Sequence, residues 1–298
     1  MGVGNPKLDV LSIVIPIYKK TQNLSFLKAT IRQARNRLFP VEFILVQDGE
    51  NVQLENELLS FARELNLVYA KVDNASPGLT RNKGIQIASA EWLAFWDCDD
   101  IGNVEAVLEA IETTSDEYNV LIGNYYIHDL KTNSLRYFQN KSNRLERLMI
   151  SPGIWRFVFR KTLIGKIRFD GYRMGEDQLF LCKLELDSSS IKYVDKAFYT
   201  YNTNVADQLT SQPEAISDLV PAIHQLSSLT MDETRKFSYI HVVQIKLIMT
   251  AIKNGEYTMR DLFDFLFKSK NRKSKFAINI CMGFFKVLTA LVFRKLRQ

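Results

Sequence analysis

Through the first hundred residues, short apolar runs alternate with longer amphipathic ones. Leu11 to Ile17 precedes Leu24 to Leu38, Val41 to Gln47 precedes Leu54 to Leu65, Leu67 to Val72 precedes Leu79 to Ala90, and Trp92 to Trp96 closes the series. The short runs suit buried strands and the longer ones helices with one apolar face. Strand, helix, strand, helix in this rhythm imposes right-handed crossovers and a mostly parallel sheet covered by helices on both faces. Ligands of such open sheets sit outside the carboxyl ends of the strands, so the residues that follow each strand are where chemistry is expected.

Beyond this half, Val120 to His128, Leu135 to Phe138 and Ile154 to Phe159 alternate like strands, with a turn at Asn133. They are expected to complete a mixed sheet and form an acceptor wall. From Pro213 the pattern turns helical, with Ile216, Leu219, Val220, Ile223 and Leu226 at helical spacing. A second helix runs over Ile240 to Ile252 and ends near Asn254-Gly255.

A hydrophobic share of 46% with 24% charged residues excludes a disordered, collagenous or coiled-coil chain. The three cysteines, Cys98, Cys182 and Cys281, are far apart and in no CxxC pattern. That argues against a disulfide framework or a zinc site and for a reducing compartment. The net charge of +6 is unevenly placed: nine cations and no acid follow Asp264, which leaves 30 basic residues against 33 acidic ones before it. Nucleic-acid binding would require cations on the body as well, so no nucleic-acid partner is expected. The apolar stretch from Val10 to Tyr18 lacks a basic flank and a small-residue cleavage site and contains Pro16; it is expected to be a strand and not a leader.

Two strand ends stand out. One run terminates in Asp48-Gly49, and Trp92 to Trp96 terminates in Asp97-Cys98-Asp99-Asp100. Three carboxylates within four residues repel one another unless a cation neutralises them, and Mg²⁺ or Mn²⁺ held by one or two carboxylates plus diphosphate oxygens is one solution. The other is a helix N-cap, with Asp100 ahead of a helix near Asn103. Between the two ends, Asp73 to Gly78 is turn-rich and leads into a helix whose first turns carry Arg81 and Lys83. A helix amino end with adjacent cations suits phosphate; a plain loop with solvated charges is the other reading.

Taken together, these segments resemble the family 2 glycosyltransferases of GT-A fold. The resemblance is carried by Ser12-Ile13-Val14-Ile15-Pro16-Ile17-Tyr18, Asp48-Gly49, Pro77-Gly78-Leu79-Thr80-Arg81-Asn82-Lys83-Gly84-Ile85, Asp97-Cys98-Asp99-Asp100 and Gly175-Glu176-Asp177-Gln178-Leu179-Phe180, in the family's order over the first two thirds of the chain. It implies an α/β, Rossmann-like domain over 1–210, with a nucleotide-binding half 1–100 and an acceptor half 101–210. A C-terminal helical region 211–298 follows, with a basic amphipathic tail over 268–298.

It also implies inverting, metal-dependent hexosyl transfer from a nucleoside diphosphate sugar, most commonly UDP-linked, to an acceptor hydroxyl. Pro16 and Tyr18 would line the base pocket, and Asp48 would accept from the base. Arg81, Asn82 and Lys83 would attend the diphosphate. Asp97 would face ribose and metal, Asp99 would bind Mn²⁺ or Mg²⁺, Asp177 would be the general base, and Glu176 would orient the site. The metal would neutralise the leaving group and the base would deprotonate the incoming hydroxyl.

The chain departs from the family pattern in places. Gln47 stands where a second acid is common, and in the segment Tyr199 to Thr210, which resembles the family's closing loop, Asn202 and Gln208 replace a basic residue and a serine. The Gln-x-x-Arg-Trp of processive members is absent, so addition of one sugar is expected. Phe276 to Phe293 is apolar but interrupted by Asn279 and Lys286 and flanked by cations, which favours a helix lying in a membrane surface over one crossing it. Packing on the body is the competing reading. A lipid-linked or glycan acceptor in cell-surface polysaccharide or lipopolysaccharide assembly, on the cytoplasmic face of a membrane, fits the first. A sugar-1-phosphate nucleotidyltransferase and a non-catalytic scaffold of the same fold are the alternatives.

Overall fold

The computed structural model describes residues 9–19, 24–140, 153–205, 213–230 and 238–268. The amino half follows the sequence rhythm: β1 (Leu11–Tyr18), α1 (Ser25–Asn36), β2 (Val41–Asp48), α2 (Val52–Leu65), β3 (Val68–Val72), α3 (Pro77–Ile87) and β4 (Trp92–Phe95). Local chemistry sets the helix starts. Asn51 accepts from the Leu54 amide to cap α2, and Ser76 accepts from that of Leu79 to cap α3, with Pro77 in its first turn. The next helix, α4 (Val104–Glu112), is capped by Asn103, which accepts from the Ala106 amide. Asp100 is therefore not the cap that its position suggested.

The remaining strands are β5 (Ile101–Gly102), β6 (Val120–Asp129), β7 (Ser134–Phe138), β8 (Phe157–Arg160) and β9 (Ile191–Thr203). Residues 154–156, read as the start of a strand, form a 3-10 turn that leads into β8. The long strand β9 has no counterpart in the sequence reading. Its first five residues of the supposed closing loop, Tyr199 to Thr203, are strand; residues 206–210 lie outside the described residues. The helices that follow β8 are α5 (Lys161–Ile164), α6 (Glu176–Lys183), α7 (Pro213–Ile216), α8 (Leu219–Thr230), α9 (Ser238–Lys253) and α10 (Met259–Lys268). The basic tail beyond Lys268 lies outside the described residues.

All nine strands join one sheet in the order β3-β2-β1-β4-β8-β6-β9-β5, with β7 on β6. Strands β3, β2, β1 and β4 are mutually parallel, whereas β8 runs antiparallel to both β4 and β6. From β1 the chain moves outward to β2 and β3, then returns to β4 on the other side of β1. The switch point therefore lies between β1 and β4, where a crevice opens beyond their carboxyl ends.

Alternation along each strand divides the core in two. Leu11, Ile13, Ile15 and Ile17 pack with Leu27, Ile31, Leu58 and Val107 of α1, α2 and α4. Val14, Ile44, Val46 and Phe95 pack with Ile85, Phe180, Ala222 and Leu247 of α3, α6, α8 and α9. The carboxy-terminal helices thus share a core with the sheet. Phe169 and Phe180 stack at 3.9 Å, and both meet Phe95 edge-on, at 5.2 and 5.9 Å. This cluster fixes α6 against the end of β4.

Helix α3 crosses β1 at Gly84, where an added Cβ would stand 2.1 Å from Val14 Cγ1 and 2.8 Å from Cγ2. Because β-branched Val14 is wholly buried, it has no space to yield. Gly84→Ala is expected to cost about 1–3 kcal/mol through overpacking, read as a lower urea midpoint with an unchanged slope.

Candidate active site

The crevice at the switch point is lined by carboxylates and by one buried guanidinium. Arg81, on α3, is 5% exposed. Its Nη2 donates to Asp97 Oδ1 at 2.9 Å and its Nη1 to Glu176 Oε1 at 2.9 Å. Burial opposes its charge, and Asp97, Glu176 and Asp177 together more than offset that, so it stays protonated. Arg81 therefore joins the end of β4 to the start of α6. It was expected to attend a diphosphate; in this structure each of its terminal nitrogens donates to a carboxylate.

Asp97 is further held through its backbone, whose amide donates to the hydroxyl of Tyr199 at 2.9 Å. Asn202, on the same strand, donates from its amide to Asp100 Oδ1 and from Nδ2 to the Asp99 carbonyl, each at 2.6 Å. The β9 residues that were matched to a closing loop thus hold the acidic run after β4 in shape. Asp100 is buried, and burial together with Asp99 and Asp97 pushes its pKa well up. Asp99 is half-buried, and burial plus the Asp97 charge raise its pKa to about 6.

Among the described residues no three His, Cys, Asp or Glu side chains converge on a point that would hold a metal ion. What the site offers is Asp97 and Asp99, two acids whose mutual repulsion a cation would relieve. That donor set fits Mg²⁺ or Mn²⁺ completed by diphosphate oxygens and does not fit an all-protein cage.

Helix α6 starts at Gly175, whose φ of 89° is left-handed and where an added Cβ would stand 3.0 Å from that of Ala222. The two acids after it differ in use. Glu176 is buried and bound to Arg81. Asp177 is half-buried, and its Oδ1 accepts from the Gln178 amide of its own helix at 2.8 Å. Burial raises the pKa of both above the ordinary carboxylate range, against the pull of Arg81, and they titrate as a pair. Of these two acids, Asp177 is the one with no ion pair among the described residues, whereas Glu176 is paired with Arg81.

Other expected residues have structural duties. Asp48 is buried: its Oδ1 accepts from the amides of Asn74 and Ala75 at 2.8 and 3.0 Å, and its Oδ2 from the Ser76 amide at 3.1 Å and Thr80 Oγ1 at 2.7 Å. In this structure the carboxylate expected to meet a base shapes the 74–76 turn and the start of α3. Gln47 is buried beside it, donating to the Gly49 carbonyl and accepting from the Tyr69 hydroxyl. Asn82 pairs reciprocally with the backbone of Phe169, at 2.9 Å in both directions, and so pins the segment before α6 to α3. Lys83 is half-buried on α3. Pro16 is half-buried and Tyr18 is 36% exposed, both at the β1 end of the crevice. Tyr199 and Asn202 were missed as site residues because a buried polar residue on an unrecognised strand carries no local signal.

Removing Arg81 leaves the buried Glu176 carboxylate without its counter-ion. Arg81→Met is expected to cost on the order of 3 kcal/mol at pH 8, measured by urea unfolding. The raised carboxylates take up protons in the folded state as pH falls, so the deficit of the variant is expected to shrink between pH 8 and pH 5.

The match to known proteins agrees with this geometry. Residues 12–174 match the model of Glycosyl transferase family 2. The putative glycosyltransferase EpsH of Bacillus subtilis (strain 168) is 20% identical over 246 residues, covering 76% of this chain and 70% of that protein. Crystallised S. aureus TarS 1-349 in complex with UDP-GlcNAc is similar in fold, with a TM-score of 0.62 at 17% identity over 88% of this chain and 77% of that one. So is the mannosyltransferase PcManGT from Pyrobaculum calidifontis in complex with GDP-Man and Mn2+, with a TM-score of 0.53 at 11% identity over 98% of this chain and 86% of that one. A family match over more than half of the chain, together with a sheet whose switch point carries the family's acidic run, leads to one conclusion: the protein belongs to glycosyl transferase family 2 and has the GT-A fold.

Proposed function

We propose that this protein transfers one sugar, with inversion, from a nucleoside diphosphate donor to a hydroxyl of a glycan or lipid-linked acceptor. The observation that carries the proposal is the Arg81 bridge. It joins the acids after β4 to the acids of α6, which supports a site where a leaving group and a base act on one donor sugar. The donor diphosphate belongs on the Asp97 and Asp99 side, with its nucleoside toward Pro16, Tyr18 and the turn that Asp48 shapes. Asp99 and Asp97 would hold Mn²⁺ or Mg²⁺, which would supply neutralisation of the charge that develops on the leaving diphosphate.

Asp177 is the general base. It must be ionised to accept the acceptor proton, and its raised pKa places that proton affinity closer to the working pH than an ordinary aspartate does. Glu176 is a positioning residue, because its carboxylate is engaged by Arg81. A UDP-linked donor is supported by the UDP-GlcNAc complex of TarS, and a manganese requirement by the Mn2+ complex of PcManGT. The basic amphipathic tail over 268–298 supports attachment to an anionic membrane surface on the cytoplasmic face, where polysaccharide or lipopolysaccharide acceptors are assembled. Among the described residues no helix is long and apolar enough to cross a membrane.

The test is a thermal-shift panel of UDP, GDP, CDP and dTDP with Mn²⁺ or a chelator, followed by transfer kinetics. UDP with Mn²⁺ is expected to raise the midpoint, and Asp99→Ala to abolish the metal-dependent part. Asp177→Asn is expected to bind UDP normally yet lose transfer by roughly a thousandfold or more. The acidic limb of kcat/KM is expected near pH 6, with the rate falling as pH drops through it. Absence of a shift with any nucleotide would sink the donor site. In a separate assay, chain truncated after Lys268 is expected to lose co-sedimentation with anionic vesicles and keep its UDP shift.

A further inference from the structure

His128, near the end of β6, is half-buried and has a partner at each ring nitrogen. Nδ1 lies 3.1 Å from Asn202 Oδ1, and Nε2 lies 3.0 Å from Oδ1 of Asn133, in the turn between β6 and β7. Asn202 is wholly buried on β9 and reaches the acidic run after β4 twice. Its backbone amide donates to Asp100 Oδ1 and its Nδ2 to the Asp99 carbonyl, each at 2.6 Å. A continuous line of hydrogen bonds thus runs from the imidazole to the peptide that carries Asp99.

Chemistry fixes the direction of that line. A carbonyl only accepts, so Asn202 turns Nδ2 to Asp99 and Oδ1 to His128. His128 therefore carries a proton on Nδ1, since the hydrogen bond at each ring nitrogen sets its protonation. Asn133 is exposed and can turn either end of its amide to Nε2, so Nδ1 is the contact that the fold determines. Held at both ends, the Asn202 amide has its plane fixed.

A bulged stretch of β9 brings the two residues together. Gly123 of β6 faces Val194, but Tyr125 faces Tyr199, so five residues of β9 advance where β6 advances two. Asn124, itself buried, donates to Asp195 in that stretch at 2.8 Å, and Phe198 packs over Gly123, where an added Cβ would stand 2.2 Å from its ring. Beyond the bulge Asn202 faces His128; without it the register would set Tyr199 there instead. Bulges re-aim side chains and are over-represented next to active sites.

We infer that His128 is a positioning residue for the cation side of the crevice. It donates from Nδ1 to Asn202, Asn202 holds the Asp99 peptide, and the Asp99 carboxylate is thereby set in place before a donor binds. The inference rests on the reading of Asp99 as a ligand of Mn²⁺ or Mg²⁺. Losing a group that orients a metal ligand typically weakens metal binding by about 10–100-fold; His128 acts one hydrogen bond further out, so its effect belongs at or just below the lower end.

The test is calorimetry on the full chain, titrated with UDP at a fixed, subsaturating Mn²⁺ concentration and again with a chelator. His128→Phe keeps a ring and removes the donor, whereas His128→Asn loses the ring and can set an N–H where Nδ1 stands. His128→Phe is expected to weaken UDP binding with Mn²⁺ by about fivefold to tenfold and to leave the chelator value within about twofold of the parent. His128→Asn is expected to match the parent in both settings. Added to Asn202→Ala, His128→Phe is expected to change nothing further, because the two residues act in series. Three results would overturn the inference: His128→Phe binds UDP as the parent does in both settings; His128→Asn is weakened as much as His128→Phe, which would make packing of the ring the reason; or the effect of His128→Phe persists in full beside Asn202→Ala. If His128→Phe loses its urea transition, His128→Asn decides alone, and weakening there by about fivefold or more overturns the inference. A parent whose UDP affinity Mn²⁺ does not raise would remove the cation reading of Asp99 and this inference with it, whereas a parent that responds to Mn²⁺ beside an unaffected His128→Phe removes this inference alone.

Discussion

The crevice depends on one buried guanidinium. Arg81 reaches Asp97 sixteen residues on and Glu176 ninety-five residues on, with one terminal nitrogen for each. Burying a charge is unfavourable unless its partners are close and well aligned, so Arg81 is stable only when the end of β4 and the start of α6 are at the right separation. The Phe95, Phe169 and Phe180 cluster beneath it enforces the same spacing by packing, and the Asn82 pairing with Phe169 enforces it by hydrogen bonding. Three independent devices thus fix the distance between the two acidic walls. A displacement reaction needs that distance held, since misplacement of the reacting groups is costly in rate.

Around that bridge the crevice carries more acid than its own cations balance. Asp99, Asp100 and Asp177 all have raised proton affinities, chiefly through burial. Such a site is less stable alone than it would be with neutral residues. A cation on the Asp97 and Asp99 side would relieve part of that deficit. Raised proton affinities of this kind are what is expected where binding ability is built at the expense of stability.

Much of the molecule was legible in order of residues. The apolar runs placed β1 to β4 and the helices between them, because β1, β2 and β4 are buried along nearly their whole length and the half-buried β3 keeps Val68, Ala70 and Val72 against the core. The acidic run after Trp96 and the Gly175-Glu176-Asp177 start of α6 were recognisable as chemistry, because a cluster of like charges at a strand end or helix start has few other uses. Individual roles were less legible. Asp48, Arg81 and Asn82 have the residue types of ligand contacts, yet their polar atoms are taken up by amides, carboxylates and a carbonyl of distant segments. Asn202 looked like a loop substitution and is instead a strand residue that braces the acidic run.

The sequence by itself determined the parallel half of the sheet, its acidic strand ends and the family, since periodicity and local motifs are properties of neighbouring residues. Only the tertiary structure decided that Arg81 serves carboxylates and that Tyr199 and Asn202 brace Asp97, Asp99 and Asp100. Each of these is a pairing of charges or dipoles across sixteen to more than a hundred residues of chain. Its strength depends on separation and burial, and neither is set until the sheet and its helices have packed.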